Sequence, residues 1–255
     1  MSDPAMTTQG RTAQIGVPLT DLCRQPEGPR DRQVLFGERV AVLEEASGWA
    51  LVVAEKDGYR GHLRQNALTY PRPATHRVCV PATHAYARAD LKSPDLLSLS
   101  FGSPVTVTAQ TKDFAETPHG HIPLVHLAPL DELQDDPAKI AALFLGTPYL
   151  WGGNSRWGID CSGLVQAALL ACGIPCPGDS GQQEGVVGTA VAGAYQRNDL
   201  LFWKGHVALV VDPETIIHAN AHRMAVSYEP IKDAIQRIEA AGDGPVTAHR
   251  RPNLP

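Results

Sequence analysis

Between Ile15 and about Tyr70 the apolar residues fall in short runs separated by turn formers. Val40-Ala41-Val42-Leu43, Ser47-Gly48-Trp49-Ala50-Leu51-Val52-Val53 and Tyr59-Arg60-Gly61-His62-Leu63 read as strands, with Lys56-Asp57-Gly58 as a hairpin turn. Strands this short and this closely spaced predict a small barrel. Pro71-Arg72-Pro73 breaks the chain, and a second strand-rich stretch runs to about Leu130, with residues 102–108 and 121–125 as its best strands. The period then changes. Residues 131–145 read as a helix with Ile140, Leu143 and Phe144 inward, stopped by Gly146-Thr147-Pro148. A second apolar helix opens at Cys161 and ends at Gly173, and Asp179-Ser180-Gly181 starts a third. Residues 200–203, 206–211, 216–219 and 246–250 read as strands, and residues 231–241 as one more helix. Helices first and strands after is an α+β order. The expected divisions are a loose polar tail over 1–14, barrels over 15–70 and 71–130, and an α+β unit over 131–255.

Composition narrows the partners. The formal net charge of −5 gives no reason to expect nucleic acid or an anionic membrane as a partner, and no run approaches the roughly 18 apolar residues that span a bilayer. Residues 1–10 lack a basic start and an apolar stretch, so no secretory signal is expected and the location expected is cytoplasmic. The 5 cysteines are too few and odd in number for a disulfide framework, which suits a reducing compartment. Cys172 and Cys176 are spaced like half a zinc site, but no second pair lies near. His119, His121 and His126 cluster without an acidic or thiol ligand at suitable spacing, so no metal is expected.

Candidate chemistry centres on Asp160-Cys161-Ser162-Gly163. A cysteine in the first turn of a helix feels the positive end of the dipole, worth about 0.3–1 kcal/mol toward the thiolate. Asp160 works the other way, so an imidazolium partner is expected to hold an ion pair with Cys161. His206, at the start of a strand, is that partner and would later protonate the leaving amine. His218 can orient His206 only if the two lie on one face of a hairpin, which needs an odd loop. A loop of Asp212-Pro213-Glu214 pairs His206 with Asn220 and leaves His218 as the diagonal neighbour. Asn220 is the alternative orienting residue. The Cys161 amide would serve an oxyanion, and no cofactor is required.

Tyr149-Leu150-Trp151-Gly152-Gly153, Asp160-Cys161-Ser162-Gly163, Gly205-His206-Val207-Ala208, Ile217-His218-Ala219-Asn220 and the terminal Arg250-Arg251-Pro252 resemble, in order and spacing, the NlpC-type cell-wall cysteine peptidases. The stretch around Gly48-Trp49 and Asp57-Gly58-Tyr59 resembles a bacterial SH3-like module, and residues 71–130 a weaker second copy. The resemblance implies a papain-like catalytic domain preceded by two small SH3-like β-barrels, with the Tyr149 hydroxyl as a further oxyanion donor. It also implies a γ-D-glutamyl-L-diamino acid endopeptidase acting on peptidoglycan stem peptides with a free N-terminal L-Ala, in recycling of released muropeptides. The matching substrate-binding residues would be Tyr59, Asp160, Ser162, Asp179 and Ser180. Trp151 joins them, with plain packing against the helix as its alternative, and Asp160 has helix capping as its own. Asp160 could pair with the substrate ammonium and so measure one dipeptide from the scissile bond. A carboxylate from the barrel side, Glu27, Asp31 or Glu38, could assist. Competing readings are an acyltransferase or transglutaminase-like enzyme using the same Cys161 and His206, and a non-catalytic wall-binding SH3-like protein. The accepted diamino acid and the oligomeric state stay open.

Overall fold

A computed structural model describes residues 10–254. Seven strands form the first barrel: β1 (Arg11–Ile15), β2 (Leu19–Cys23), β3 (Arg30–Leu35), β4 (Arg39–Ala46), β5 (Trp49–Ala54), β6 (Arg60–Arg64) and β7 (Leu68–Thr69), in the order β3-β2-β6-β5-β4-β1-β7. Their inward positions, among them Ile15, Leu22, Val34, Val40, Val52 and Leu63, close a small core. Residues 11–14, expected as tail, belong to β1, because β4 and β7 supply its ladder partners on both sides. The rest of the expected tail, residues 1–9, lies outside the described residues.

The second unit comprises β8 (His76–Val78), β9 (Ala82–Tyr86), β10 (Asp95–Ser100), β11 (Pro104–Val105), β12 (Ala109–Gln110), β13 (Phe114–Thr117), β14 (Gly120–Pro123) and β15 (Leu127–Pro129). They form sheets β10-β9-β14-β13-β12 and β11-β8-β15 around Val78, Ala85, Leu99 and Ile122. Phe36 leaves the first barrel to complete this second core, stacked edge-on to His119 at 4.9 Å between centroids. The strand expected over 102–108 shrinks to β11, since Gly102 turns the chain at φ +83°.

Four helices serve the remaining unit: α1 (Pro137–Ala142), α2 (Cys161–Ala171), α3 (Ser180–Val186) and α4 (Ile231–Ala240). The helix expected over 131–145 is only α1. Pro137 occupies its first position, and Asp136 caps it by accepting from the Lys139 amide. Ile140 and Phe144 still point inward, and Leu143 packs beside them. The strands are β16 (Asn154–Ser155), β17 (Gly158–Ile159), β18 (Thr189–Ala190), β19 (Leu200–Trp203), β20 (His206–Asp212), β21 (Thr215–Asn220), β22 (Ala225–Pro230) and β23 (Ala248–Arg251). Six of them form an antiparallel sheet, β18-β23-β19-β20-β21-β22. One face packs Val207, Leu209, Ile217 and Val226 on α1 and α2. The other packs Ala208, Val210 and Ile216 under Ile231, Ala234 and Ile238 of α4. This is an α+β, papain-like unit preceded by SH3-like barrels. Among the described residues no helix is long and apolar enough to cross a membrane.

Turn geometry fixes the sheet's chemistry. Leu209 pairs with Ile217 and Val210 with Ile216, but Asp212 pairs with Thr215, leaving Val211 as a bulge. The turn is therefore the two residues Pro213-Glu214, one fewer than the expected loop. The bulge restores the odd count, so His206 and His218 remain on one face.

Candidate active site

Cys161 is the first residue of α2, and Asp160 is its cap. The Asp160 Oδ1 accepts from the Gly163 amide at 2.6 Å and the Ser162 hydroxyl at 3.0 Å, while Oδ2 accepts from the Gly152 amide at 3.0 Å. A side chain at Gly163 would put its Cβ 2.6 Å from Asn154 Oδ1, so the cap closes only over glycine. Capping alone is worth about 1 kcal/mol. Ser162 is spent on this cap and is buried. The thiol is buried against the Val207 amide, one residue beyond His206. Tyr149 lies in the field of the same sulfur; burial, with Cys161 and Asp160 adding, pushes its phenol up to about 12, so it stays a protonated donor.

The expected Cys161–imidazolium ion pair is not what this environment favours. Burial, reinforced by Asp160, pushes the thiol up to about 12. Burial above all pushes His206 down to about 3, and the nearby Arg237 works in the same direction. Desolvation here outweighs a dipole of about 0.3–1 kcal/mol. Both shifts favour a neutral thiol and a neutral imidazole.

His206 Nε2 lies 2.9 Å from His218 Nδ1, and His218 Nε2 lies 2.9 Å from Glu229 Oε2. Asn220 makes no hydrogen bond to His206: its amide donates to Ser227 Oγ at 3.1 Å and its carbonyl oxygen accepts from the Arg223 amide. Burial works against the Glu229 charge, yet hydrogen bonds from Arg237 and His218 hold its carboxyl well below the usual carboxylate range. Glu229 and Arg237 escaped the sequence reading, because Ala225–Pro230 carries too little apolar alternation to announce a strand.

These two groups give the fold an acid limit. Unfolded His206 takes a proton below its ordinary 6.5, whereas the folded side chain waits until about 3. Unfolded chain therefore binds more protons in that window, and stability rises with pH through it. The Glu229 carboxyl acts with the same sign, its contribution being lost as pH falls below 4.5. Moving from pH 7 to pH 5 is expected to cost about 2 kcal/mol through His206. Urea unfolding of wild type and His206→Ala at both pH values measures this; equal acid losses in the two proteins would refute it.

The first barrel walls the cleft. Arg32 of β3 is 2% exposed and donates to Gly178 O at 2.7 Å, Gln166 Oε1 at 2.6 Å and Asn154 Oδ1 at 3.2 Å. Its Nε, 3.9 Å from Asp57 Oδ2, has no hydrogen-bond partner. The guanidinium lies 5.6 Å from the centre of the Tyr59 ring. Gly152, at φ +68°, lets the lead-in to α2 touch this barrel, because a Cβ there would meet Asp31 O at 2.6 Å. Burial, then Asp179 and Asp31, pushes the Tyr59 phenol up to about 12. Asp179 caps α3 without a side-chain bond to it, and Ser180 begins that helix. Burial raises Asp179, Arg32 opposes, and Asp160, Asp31 and Asp57 raise it further. Burial likewise raises Asp160 against the pull of Arg32.

Asp57, Asp160 and Asp179 thus share the field of one buried guanidinium, with Asp31 close to Asp179 and Tyr59. Of the barrel-side alternatives, Glu27 pairs with Arg64 and Glu38 with Lys56, while Asp31 faces Tyr59 and binds Arg24 at 2.8 Å. Trp151 is 67% exposed, and its carbonyl is held by Arg30 Nε at 3.1 Å.

A family model described as the NlpC/P60 family matches residues 146–240, and one described as the bacterial dipeptidyl-peptidase Sh3 domain matches residues 22–68. A protein of Bacillus subtilis (strain 168) named gamma-D-glutamyl-L-lysine dipeptidyl-peptidase is 30% identical over 81% of this chain and 78% of its own. Dipeptidyl-peptidase 6 of Lysinibacillus sphaericus is 26% identical over 74% of this chain and 79% of its own. The crystal structure of an NlpC/P60 family protein from Bacillus cereus ATCC 10987 shares the fold with a TM-score of 0.81 and 22% identity, covering 96% of this chain and 100% of that one. With the cysteine, the two histidines and the barrel wall in place, the chain belongs to the NlpC/P60 family and is a cysteine peptidase.

Proposed function

We propose that the protein hydrolyses the γ-D-glutamyl–L-diamino acid bond of peptidoglycan stem peptides that carry a free N-terminal L-Ala. The observation carrying this reading is the excess of negative charge at the barrel wall: Asp31, Asp57, Asp160 and Asp179 stand against two guanidinium groups, the buried Arg32 and the Arg24 that pairs with Asp31. A substrate ammonium supplies the missing positive charge, and its distance from Cys161 sets the bond that is cut. Within this reading Cys161 Sγ attacks the γ-carbonyl of D-Glu while His206 takes the thiol proton. The Cys161 amide and the Tyr149 hydroxyl hold the oxyanion. His206 returns its proton to the departing diamino acid amine, leaving a thioester that water hydrolyses with His206 as base. This reading keeps Ser180, the first residue of α3, and exposed Trp151 as substrate contacts, and gives Ser162 its part through the Asp160 cap. A free L-Ala amine exists only after another hydrolase has removed the glycan, so the proposal includes recycling of released peptides in the cytoplasm.

Incubation with L-Ala-γ-D-Glu-meso-diaminopimelate, and with its L-Lys counterpart, is expected to release the diamino acid. Acetylating the L-Ala amine removes the charge and is expected to lower kcat/KM by about 100-fold or more, the scale for an unpaired buried charge partner. Undiminished turnover of the acetylated peptide would remove the ammonium site from this account. Transfer to an added amine in preference to water would favour the acyltransferase chemistry instead.

A further inference from the structure

We propose that Glu229, held by Arg237, is a positioning residue that fixes the ring tautomers of His218 and His206 and so leaves the basic nitrogen of His206 free for the thiol. This rests on the reading of Cys161 and His206 as the reacting pair. The argument is one of donors and acceptors. Glu229 receives Arg237 Nε on Oε1 and Nη2 on Oε2, both at 2.8 Å. A carboxylate held this way only accepts, so the 2.9 Å contact to His218 Nε2 places a proton on that nitrogen. In the proposed state His218 is neutral, so its Nδ1 is bare and can only accept. The 2.9 Å contact from His206 must therefore be an N–H on its Nε2. His206 Nδ1 is left unprotonated, as a base requires. When that nitrogen takes the thiol proton, the imidazolium charge is passed through two hydrogen bonds to a carboxylate.

The fold holds this line rigidly. His218 pairs across the ladder with Ser227 and Ile216 with Glu229, so Glu229 is two residues along β22 on the face that His218 shares. The α4 helix follows β22 directly and is anchored by buried Ile231, Ala234 and Ile238, which brings Arg237 over Glu229. His218 is fully buried, so water does not compete for its Nε2.

Two measurements test the proposal. Ring nitrogen NMR of the wild-type protein at pH 7 is expected to show both histidines protonated at Nε2 and bare at Nδ1; a proton on His218 Nδ1 overturns it. Steady-state kinetics on L-Ala-γ-D-Glu-L-Lys is expected to give a fall in kcat of about 100-fold for Glu229→Leu with KM little changed. Glu229→Gln, whose amide oxygen still accepts from His218, is expected to recover at least about 10-fold of this loss, and Arg237→Met to lose less than Glu229→Leu. Wild-type kcat in Glu229→Leu overturns the proposal, and should that variant not fold, the Gln and Met variants and the wild-type spectrum decide it. If wild type leaves the peptide uncut while the spectrum is as expected, the substrate reading fails and the tautomer assignment stands.

Discussion

Arg32→Met is expected to lower the unfolding free energy by about 3 kcal/mol or more, the usual cost of removing one partner from a buried charge cluster. The substitution keeps most of the stem and deletes the guanidinium. Gly178 O, Gln166 Oε1 and Asn154 Oδ1 would each lose a buried donor, and Asp160 and Asp179 would lose a buried cation that opposes their protonation. Each orphaned acceptor costs about 1–3 kcal/mol, reduced where water enters. With Asp160 and Asp179 carrying less charge at neutral pH, KM for the free-amine peptide is expected to rise by about tenfold, or about 1.4 kcal/mol of binding. Urea unfolding and initial rates measure the two effects. A loss of stability below about 1 kcal/mol would mean that solvent or a neighbouring cation replaces the guanidinium, contrary to its burial.

Cys161→Ala is expected to reduce turnover by at least about 10^4-fold, the scale found when a nucleophile is deleted and binding alone remains. Calorimetric titration with intact peptide should still show binding, because the wall residues that hold the ammonium are untouched. Residual turnover within tenfold of wild type would exclude Cys161 as nucleophile. A neutral resting pair makes a companion expectation. Iodoacetamide alkylation of Cys161, followed by mass spectrometry of its peptide, should climb with pH through at least pH 9, because burial keeps the thiolate scarce. A flat alkylation rate between pH 5 and pH 8 would instead demonstrate an ion pair and contradict the desolvation argument.

Cys161, its cap and the histidine pair were legible in the sequence because each depends on neighbours close in the chain. Asp160 caps the helix that Cys161 opens, and the face shared by His206 and His218 follows from counting residues round a hairpin. Even there the turn came out one residue shorter, with Val211 making up the difference. Pro137 was in plain view, yet apolar spacing drew the first helix through it. Arg32 was not legible: its hydrogen-bond partners stand 122 to 146 positions away, and only the closure of barrel on catalytic unit brings them together. Asp31 could be placed among three candidates and no further, for the same reason. The charge state of Cys161 and His206 depends on burial, which no local pattern reports.

The bulge at Val211 also sets a counting rule for this chemistry. Growing or trimming the hairpin by two residues keeps both imidazoles on the same side of the ribbon. A change of one residue swings the second ring to the far side, unless a bulge appears or vanishes along with it. The spacing between these histidines is thus inherited by parity more than by length, so an engineered loop at Pro213-Glu214 can be long, provided it adds residues in pairs.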